Sequence, residues 1–226
     1  MFGMPLALID EAGKVAAELA RDWREIVAGS EGYVTDPRRA GLHRQPIVWG
    51  DMDSMGHVNN VQYVRWAESG RCNWTRKYGM VDPTNKQLWE EILTPRNVGL
   101  ILKSIKVDFK FPMLWPDRIF VYHKLQAKPN EETATMLLDV MILSEAKQRP
   151  AAKCLEDVVV YDYKAAAKTS LPPFMLEQFR HTWSLQESAK EKALAQVNRI
   201  EEQIRHLEKS SWDRPDAKED FGGSSP

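Results

Sequence analysis

Apolar positions recur along this chain with two different periods, and each period predicts a kind of element. From Leu6 to Ala28, residues Leu8, Ala12, Val15, Leu19, Trp23 and Ile26 step by three and four, the repeat of an amphipathic helix. A second helical pattern opens near residue 60. There Val58, Val61, Tyr63, Val64, Trp66, Ala67, Gly70, Cys72, Trp74 and Tyr78 leave hardly any polar side, so this helix is expected to be buried. Gly70 in its middle costs up to about 1 kcal/mol relative to alanine, which predicts that something packs closely against it. Gly79 reads as its C-terminal stop.

Period two takes over further on. Ile101, Ile105, Val107, Phe109 and Phe111 face one way and Lys106, Asp108 and Lys110 the other. After Pro112 and Pro116, a second strand over 118–127 alternates Ile119, Val121, His123, Leu125 and Ala127 with polar neighbours; a third spans 133–143 and a fourth 153–163. Ile47-Val48-Trp49, just ahead of the buried helix, is a further β-prone run. Five strands and one buried helix with short late loops predict an α+β chain, an antiparallel sheet curved around the helix. The stretch 81–95, with Leu88, Trp89, Ile92 and Leu93, either lines a pocket or forms one short packing helix.

Past Pro172 and Pro173, the residues Ala193, Val197, Ile200, Ile204 and Leu207 alternate four- and three-residue steps. That is either a short coiled-coil seam for a partner or a face that docks back on the body. The expected organisation is a helix and linker over 1–45, a main domain over 46–172, a C-terminal helix over 173–211 and a disordered tail over 212–226.

Composition removes several function classes. Lys and Arg number 31 against 32 Asp and Glu, so no global charge favours nucleic acid. The two cysteines, Cys72 and Cys154, lack metal-ligand spacing and read as free thiols of a reducing compartment. No apolar run approaches the roughly 18 residues of a membrane span. The acids Asp10, Glu11, Glu18, Asp22 and Glu25 argue against a mitochondrial presequence, so the start reads as mature sequence, in the cytosol or a mitochondrial matrix. A P-loop, a dinucleotide fingerprint and a G-x-S-x-G elbow are all absent, and neither metal nor redox cofactor is implied.

The chemistry concentrates between Gly50 and the buried helix: Asp51, Asp53, Ser54, Gly56, His57, Asn59 and Asn60. The first N–H groups of a helix have no intrahelical acceptor and carry partial positive charge, so they can hold a developing oxyanion. A carboxylate just upstream can supply a base or a nucleophile.

The string DMDSMGHVNNVQYVRW resembles the signature of hotdog-fold acyl thioesterases of the 4-hydroxybenzoyl-CoA thioesterase-like superfamily, D-x-D-x-x-G-H-V-N-N-x-x-Y leading into the central helix. The resemblance covers roughly 46–164. It implies a hotdog fold, to which the two terminal helical patterns add extensions, a homodimer or higher homo-oligomer with sites near the subunit interface, and an acyl-CoA or acyl-carrier thioester as substrate. It places the catalytic carboxylate on Asp53, as general base or nucleophile; the bland alternative is that Asp53 caps the helix. His57 either polarises the thioester carbonyl or is structural. The backbone N–H near Asn60 is the oxyanion candidate, and Gly56, Asn59 and Tyr63 complete the expected substrate contacts. Asp51 is read as holding the turn or orienting the site, and Glu68 with Arg71 as an i, i+3 ion pair. Hotdog hydratases carry a related G-D-x-N-P-x-H pattern; here the proline is missing. The expected function is therefore thioester hydrolysis, and the alternative is a catalytically silent hotdog subunit that joins a larger assembly through the C-terminal helix.

Overall fold

In this structure, a computed structural model, residues 5–213 are described. Six strands form one antiparallel sheet: β1 (Leu42–Pro46), β2 (Val98–Phe109), β3 (Arg118–Leu125), β4 (Thr135–Ser144), β5 (Arg149–Asp162) and β6 (Ala167–Lys168). The spatial order is β1-β3-β4-β5-β2, with β6 adding two residues beside β5. Four helices accompany it: α1 (Leu6–Val27), α2 (Asn60–Val81), α3 (Lys86–Glu91) and α4 (Pro173–Ser210). The sheet curls around α2, the hotdog arrangement.

Alternation decides which side chains meet α2. Val121 of β3, Val140 and Ile142 of β4 and Cys154 of β5 pack against Tyr63, Trp66 and Ala67. The opposite face of β3 was expected to be polar. Instead Phe120 and Tyr122 are fully buried there with Trp23 of α1 and Tyr33 and Ala40 of the linker. The N-terminal segment therefore covers the outer face of β3 and β4, where Met141 and Leu143 join the same cluster. In β2 the register slips between Leu102 and Ser104. A bulge there reverses the facing of every residue beyond it. Consequently Val98, Leu100 and Leu102 face the core before it, and Ile105 and Val107 after it, so Ile101 does not share a face with Ile105.

Two boundaries flanking the motif and the central helix differ from the sequence reading. The first strand ends at Pro46, and Ile47-Val48-Trp49 is not a strand. The N–H of Val48 is taken by the Asp51 carboxylate at 2.9 Å, which draws the chain into a 3-10 turn over Trp49–Asp51. Gly79 does not stop α2. It is buried within the helix against Lys86 and Trp89 of α3, which leave ordinary van der Waals room for a Cβ, and the helix ends at Val81 ahead of Pro83. The segment after α2 resolves into the short packing helix: Trp89 is fully buried and stacks on Tyr78 at 4.6 Å.

At 38 residues, α4 extends about 57 Å. Its first turns bring Met175, Leu176 and Phe179 into the core around Trp74, Tyr78 and Trp89. Gln186 then completes the open edge of β3 as a strand would, accepting the Leu125 N–H at 2.9 Å and donating to its carbonyl at 3.0 Å. Farther on, Ile200 and Leu207 pack with Val15 and Leu8 of α1, Glu18 pairs with Arg199, and Gln196 donates to Glu18 at 2.7 Å. Ile200 and Leu207 of the C-terminal apolar seam are thus used within the chain, while Ile204 stays exposed. Among the described residues no helix is long and apolar enough to cross a membrane. The expected disordered tail lies, from residue 214 onward, outside the described residues.

The expectation about Gly70 holds. A Cβ there would sit 2.8 Å from Val121 Cγ1 and 2.9 Å from His123 Cε1, while one on Gly41 would sit 2.7 Å from the Gly70 carbonyl oxygen. Two glycines facing each other let α2 rest directly on β3 and the linker.

Candidate active site

The polar turn folds as a small closed loop. Met52 and Val58 form an isolated antiparallel bridge, and the Asp53 N–H donates to the His57 carbonyl at 2.8 Å. Gly56, with φ +74, makes the return and donates its N–H to the Asp53 carbonyl at 3.1 Å. That conformation favours glycine, and nothing lies within 4 Å of where its Cβ would be, so the space in front of Gly56 is open. Asp51 anchors the base of the loop: its carboxylate holds Val48 and its carbonyl accepts from the Asn59 N–H at 2.9 Å.

Asp53 does not cap α2. Asn59 does, its Oδ1 accepting the Val61 N–H at 2.9 Å. The Asp53 carboxylate instead accepts the Met55 N–H through Oδ1 at 2.8 Å, with Oδ2 left free of hydrogen bonds among the described residues. A half-buried carboxylate with an unengaged oxygen therefore stands at the loop six residues ahead of the cap. At the helix start the Asn60 N–H finds no acceptor among the described residues, whereas Val61 and Gln62 are both claimed by Asn59. His57 is half-buried and its side chain forms no hydrogen bond among the described residues.

Tyr63 is placed differently from an open substrate contact. It is 2% exposed, its ring meets Trp66 and Phe109 edge-on at 5.4 and 5.1 Å, and its hydroxyl accepts the Met113 N–H at 3.3 Å. Together with the bond from the Val58 N–H to the Met113 carbonyl at 2.9 Å, this pins the β2–β3 connection beside the start of α2. Trp115 on that connection packs edge-on to Trp49 at 5.7 Å. Around the loop lie exposed apolar side chains, Trp49 at 72%, Met55 at 78%, Val61 at 58% and Leu114 at 51%. Four clefts among the described residues, the one beside Arg39 and Lys77 included, are lined by none of the loop residues.

A family model described as the thioesterase-like superfamily matches residues 47–179, well over half of the chain. The chain belongs to the thioesterase-like superfamily. Among solved structures, this superfamily member is similar to a hypothetical protein from Staphylococcus aureus in complex with CoA, with TM-score 0.53 and 12% identity over 65% of this chain and 85% of that one. It is also similar to a candidate thioesterase from Prochlorococcus marinus, with TM-score 0.50 and 16% identity over 64% and 97% of the two chains. At these identities the likeness concerns the fold. No curated protein matches this thioesterase-like chain.

Sequence reasoning missed a buried polar cluster behind α2. Arg71 faces the sheet rather than Glu68, because its position on the helix is buried while that of Glu68 is exposed. It pairs with Glu156 of β5, whose other oxygen lies 3.8 Å from His123 Nε2 on β3. The Glu156 and His123 side chains are both fully buried. Burial pushes Glu156 up to about 7 against the pull of Arg71, and burial with the Arg71 charge pushes His123 down to about 3. Alternation carried the signal: His123 and Glu156 both occupy inward positions of otherwise apolar strand faces. Cys154 is buried and Cys72 half-buried, both as free thiols.

Proposed function

We propose that this protein hydrolyses an acyl thioester, of CoA or of an acyl carrier, with Asp53 as general base or nucleophile and the Asn60 N–H at the start of α2 as oxyanion donor. The observation that carries the reading is the division of labour in the loop. Asn59 caps the helix, which leaves a carboxylate oxygen of Asp53 and the first helical N–H both unengaged. As a base, Asp53 takes a proton from water as its oxygen attacks the carbonyl carbon; the C–S bond then breaks and the thiolate is protonated. As a nucleophile, an Asp53 oxygen attacks the carbonyl carbon, the C–S bond breaks and the thiolate leaves and is protonated, and water then hydrolyses the acyl anhydride to free acid and the Asp53 carboxylate. In either case the oxyanion develops before a helix N-terminus. His57 orients water or the carbonyl, and Gly56 keeps the approach open.

CoA as the carrier is supported by the similar Staphylococcus aureus structure that holds CoA. A homodimer is part of the proposal, because the exposed apolar rim around the loop requires a second surface to enclose an acyl group. The alternative, a subunit without turnover recruited through α4, is weakened because Ile200 and Leu207 of the seam pack on α1; a partner would meet only the remaining surface, where Leu194 and Ile204 are exposed.

The test is thiol release from acyl-CoAs of graded chain length and one aromatic thioester, wild type beside Asp53→Asn. Loss of a proton-transferring group predicts a fall of about 100-fold or more in the variant. Absence of turnover across the panel in folded wild type, or full activity in Asp53→Asn, overturns the mechanism.

A further inference from the structure

The linker between α1 and β1 carries Arg38 and Arg39, which thioester chemistry at Asp53 leaves unused. The fold brings both beside Lys77, on the C-terminal half of α2, around a narrow cleft whose walls include Trp74, Thr182 and the buried His123. Lys77 lies about 25 Å along the helix from Asn60, so this cleft is separate from the Asp53 loop.

These cations are positioned by the chain and poorly neutralised. Lys77 Nζ donates to the carbonyls of Pro37 at 2.7 Å and Ala40 at 2.6 Å, which fixes the linker against α2 and leaves one N–H over. Arg38 pairs with Asp36 at 3.0 Å. Half-buried Arg39 makes one polar contact among the described residues, Nη1 to Thr182 Oγ1 at 3.5 Å, so most of its donors are unused. One carboxylate among three cations leaves a surplus of two positive charges in a partly desolvated place, where like charges repel more strongly than in water. Burial pushes the Lys77 ammonium down, with the Asp36 charge opposing it, and His43 nearby is lowered by burial and then by Arg24, Lys77 and Arg44. In the cleft wall the imidazole of His123 is fully buried and neither of its nitrogens is hydrogen-bonded.

We propose that this cleft binds an oxyanion of the phosphate class, clamped between the Arg39 guanidinium and Lys77 with Arg38 at the rim. A guanidinium offers a planar fork that matches two phosphate oxygens, and the ammonium adds a point charge. The interior volume is about 10 Å³, room for one oxygen-sized atom, so the anion sits at the mouth with a single oxygen directed inward. The anion is either free phosphate or a phosphate carried by a nucleotide.

The test is calorimetric titration of the full chain with inorganic phosphate, with adenosine 3′,5′-bisphosphate, and with chloride at matched ionic strength. Wild type is expected to show a saturable site, at least tenfold weaker in Arg39→Gln and in Lys77→Gln, with Tm rising on addition of the same ligands. Tighter binding of the bisphosphate assigns the site to a nucleotide-borne phosphate; equal or tighter binding of inorganic phosphate assigns it to the free anion. Arg39→Gln should retain wild-type circular dichroism and thiol release, and Asp53→Asn should bind phosphate as wild type does. Failure here is thereby distinct from failure of the hydrolase reading. Lack of a saturable site in wild type, an equal effect of chloride, or unchanged affinity in Arg39→Gln overturns the proposal.

Discussion

Replacing Gly70 by alanine tests the contact that seats the central helix on its sheet. In a solvent-exposed helix interior this substitution stabilises by about 0.5–1 kcal/mol, because alanine loses less backbone entropy on folding. Here the new methyl carbon would lie 2.8 Å from Val121 Cγ1, 2.9 Å from His123 Cε1 and 3.3 Å from Val121 Cβ. Neither neighbour yields easily: Val121 is fully buried and stiff at χ1, and His123 is stacked on Trp74 at 5.8 Å. Overpacking of a well-filled core costs about 1–3 kcal/mol. After the propensity gain, Gly70→Ala should destabilise by about 1–2 kcal/mol, or lower Tm by about 2–8 °C for a chain of this size. The matched controls are also helical. Gly13 has nothing within 4 Å of a built Cβ, and Gly79 meets only ordinary contacts of 3.5 Å and longer. Gly13→Ala should therefore raise stability by about 0.5–1 kcal/mol, and Gly79→Ala should leave it unchanged or raise it. Urea and thermal unfolding of the three variants are the assay. A Gly70→Ala protein as stable as Gly13→Ala would show that α2 does not rest on β3 in this way.

Other outcomes follow from the buried cluster and the caps. Glu156, held above its ordinary value of 4.5 up to about 7, contributes stability that is present at low pH and lost as pH rises through that window. His123, held below 6.5 down to about 3, contributes stability that is lost as pH falls through its own window. Between pH 4.5 and 6.5 the two slopes oppose each other. Glu156→Gln removes only the first, so its unfolding free energy should gain on wild type as pH rises from 5 to 7, at up to about 1.4 kcal/mol per pH unit. A constant difference across that range would contradict the assignment. Asn59→Ala should lose about 0.5–2 kcal/mol in urea unfolding and also slow thiol release, since the same turn presents the Asn60 N–H. Gln186→Ala leaves the buried N–H and C=O of Leu125 without partners and should destabilise by about 1–3 kcal/mol, with faster hydrogen exchange at Leu125 than elsewhere in β3.

The sequence alone determined the features set by local periodicity and by a contiguous motif. The helix over Leu6–Val27, the buried helix after Asn60, the four later strands and the crowding at Gly70 are all legible because period and residue size act over a few neighbours. The loop from Asp51 to Asn60 was legible for the same reason, since its ligands to one another are adjacent in the chain. What it could not decide was each choice between a local signal and a distant competitor. Ile47-Val48-Trp49 has strand composition, but the Asp51 carboxylate claims the Val48 N–H. Gly79 has the look of a helix stop, yet α3 packs on it and the helix continues. Arg71 had a partner three residues away and took Glu156 across the core, because its position on α2 points at the sheet. The seam from Ala193 to Leu207 suited either a partner or α1, and only the docking of two segments far apart in sequence brings its Ile200 and Leu207 onto α1. Contacts of long sequence separation leave no mark in any short window, and Arg39 meets Lys77 and Thr182 only once the fold has closed.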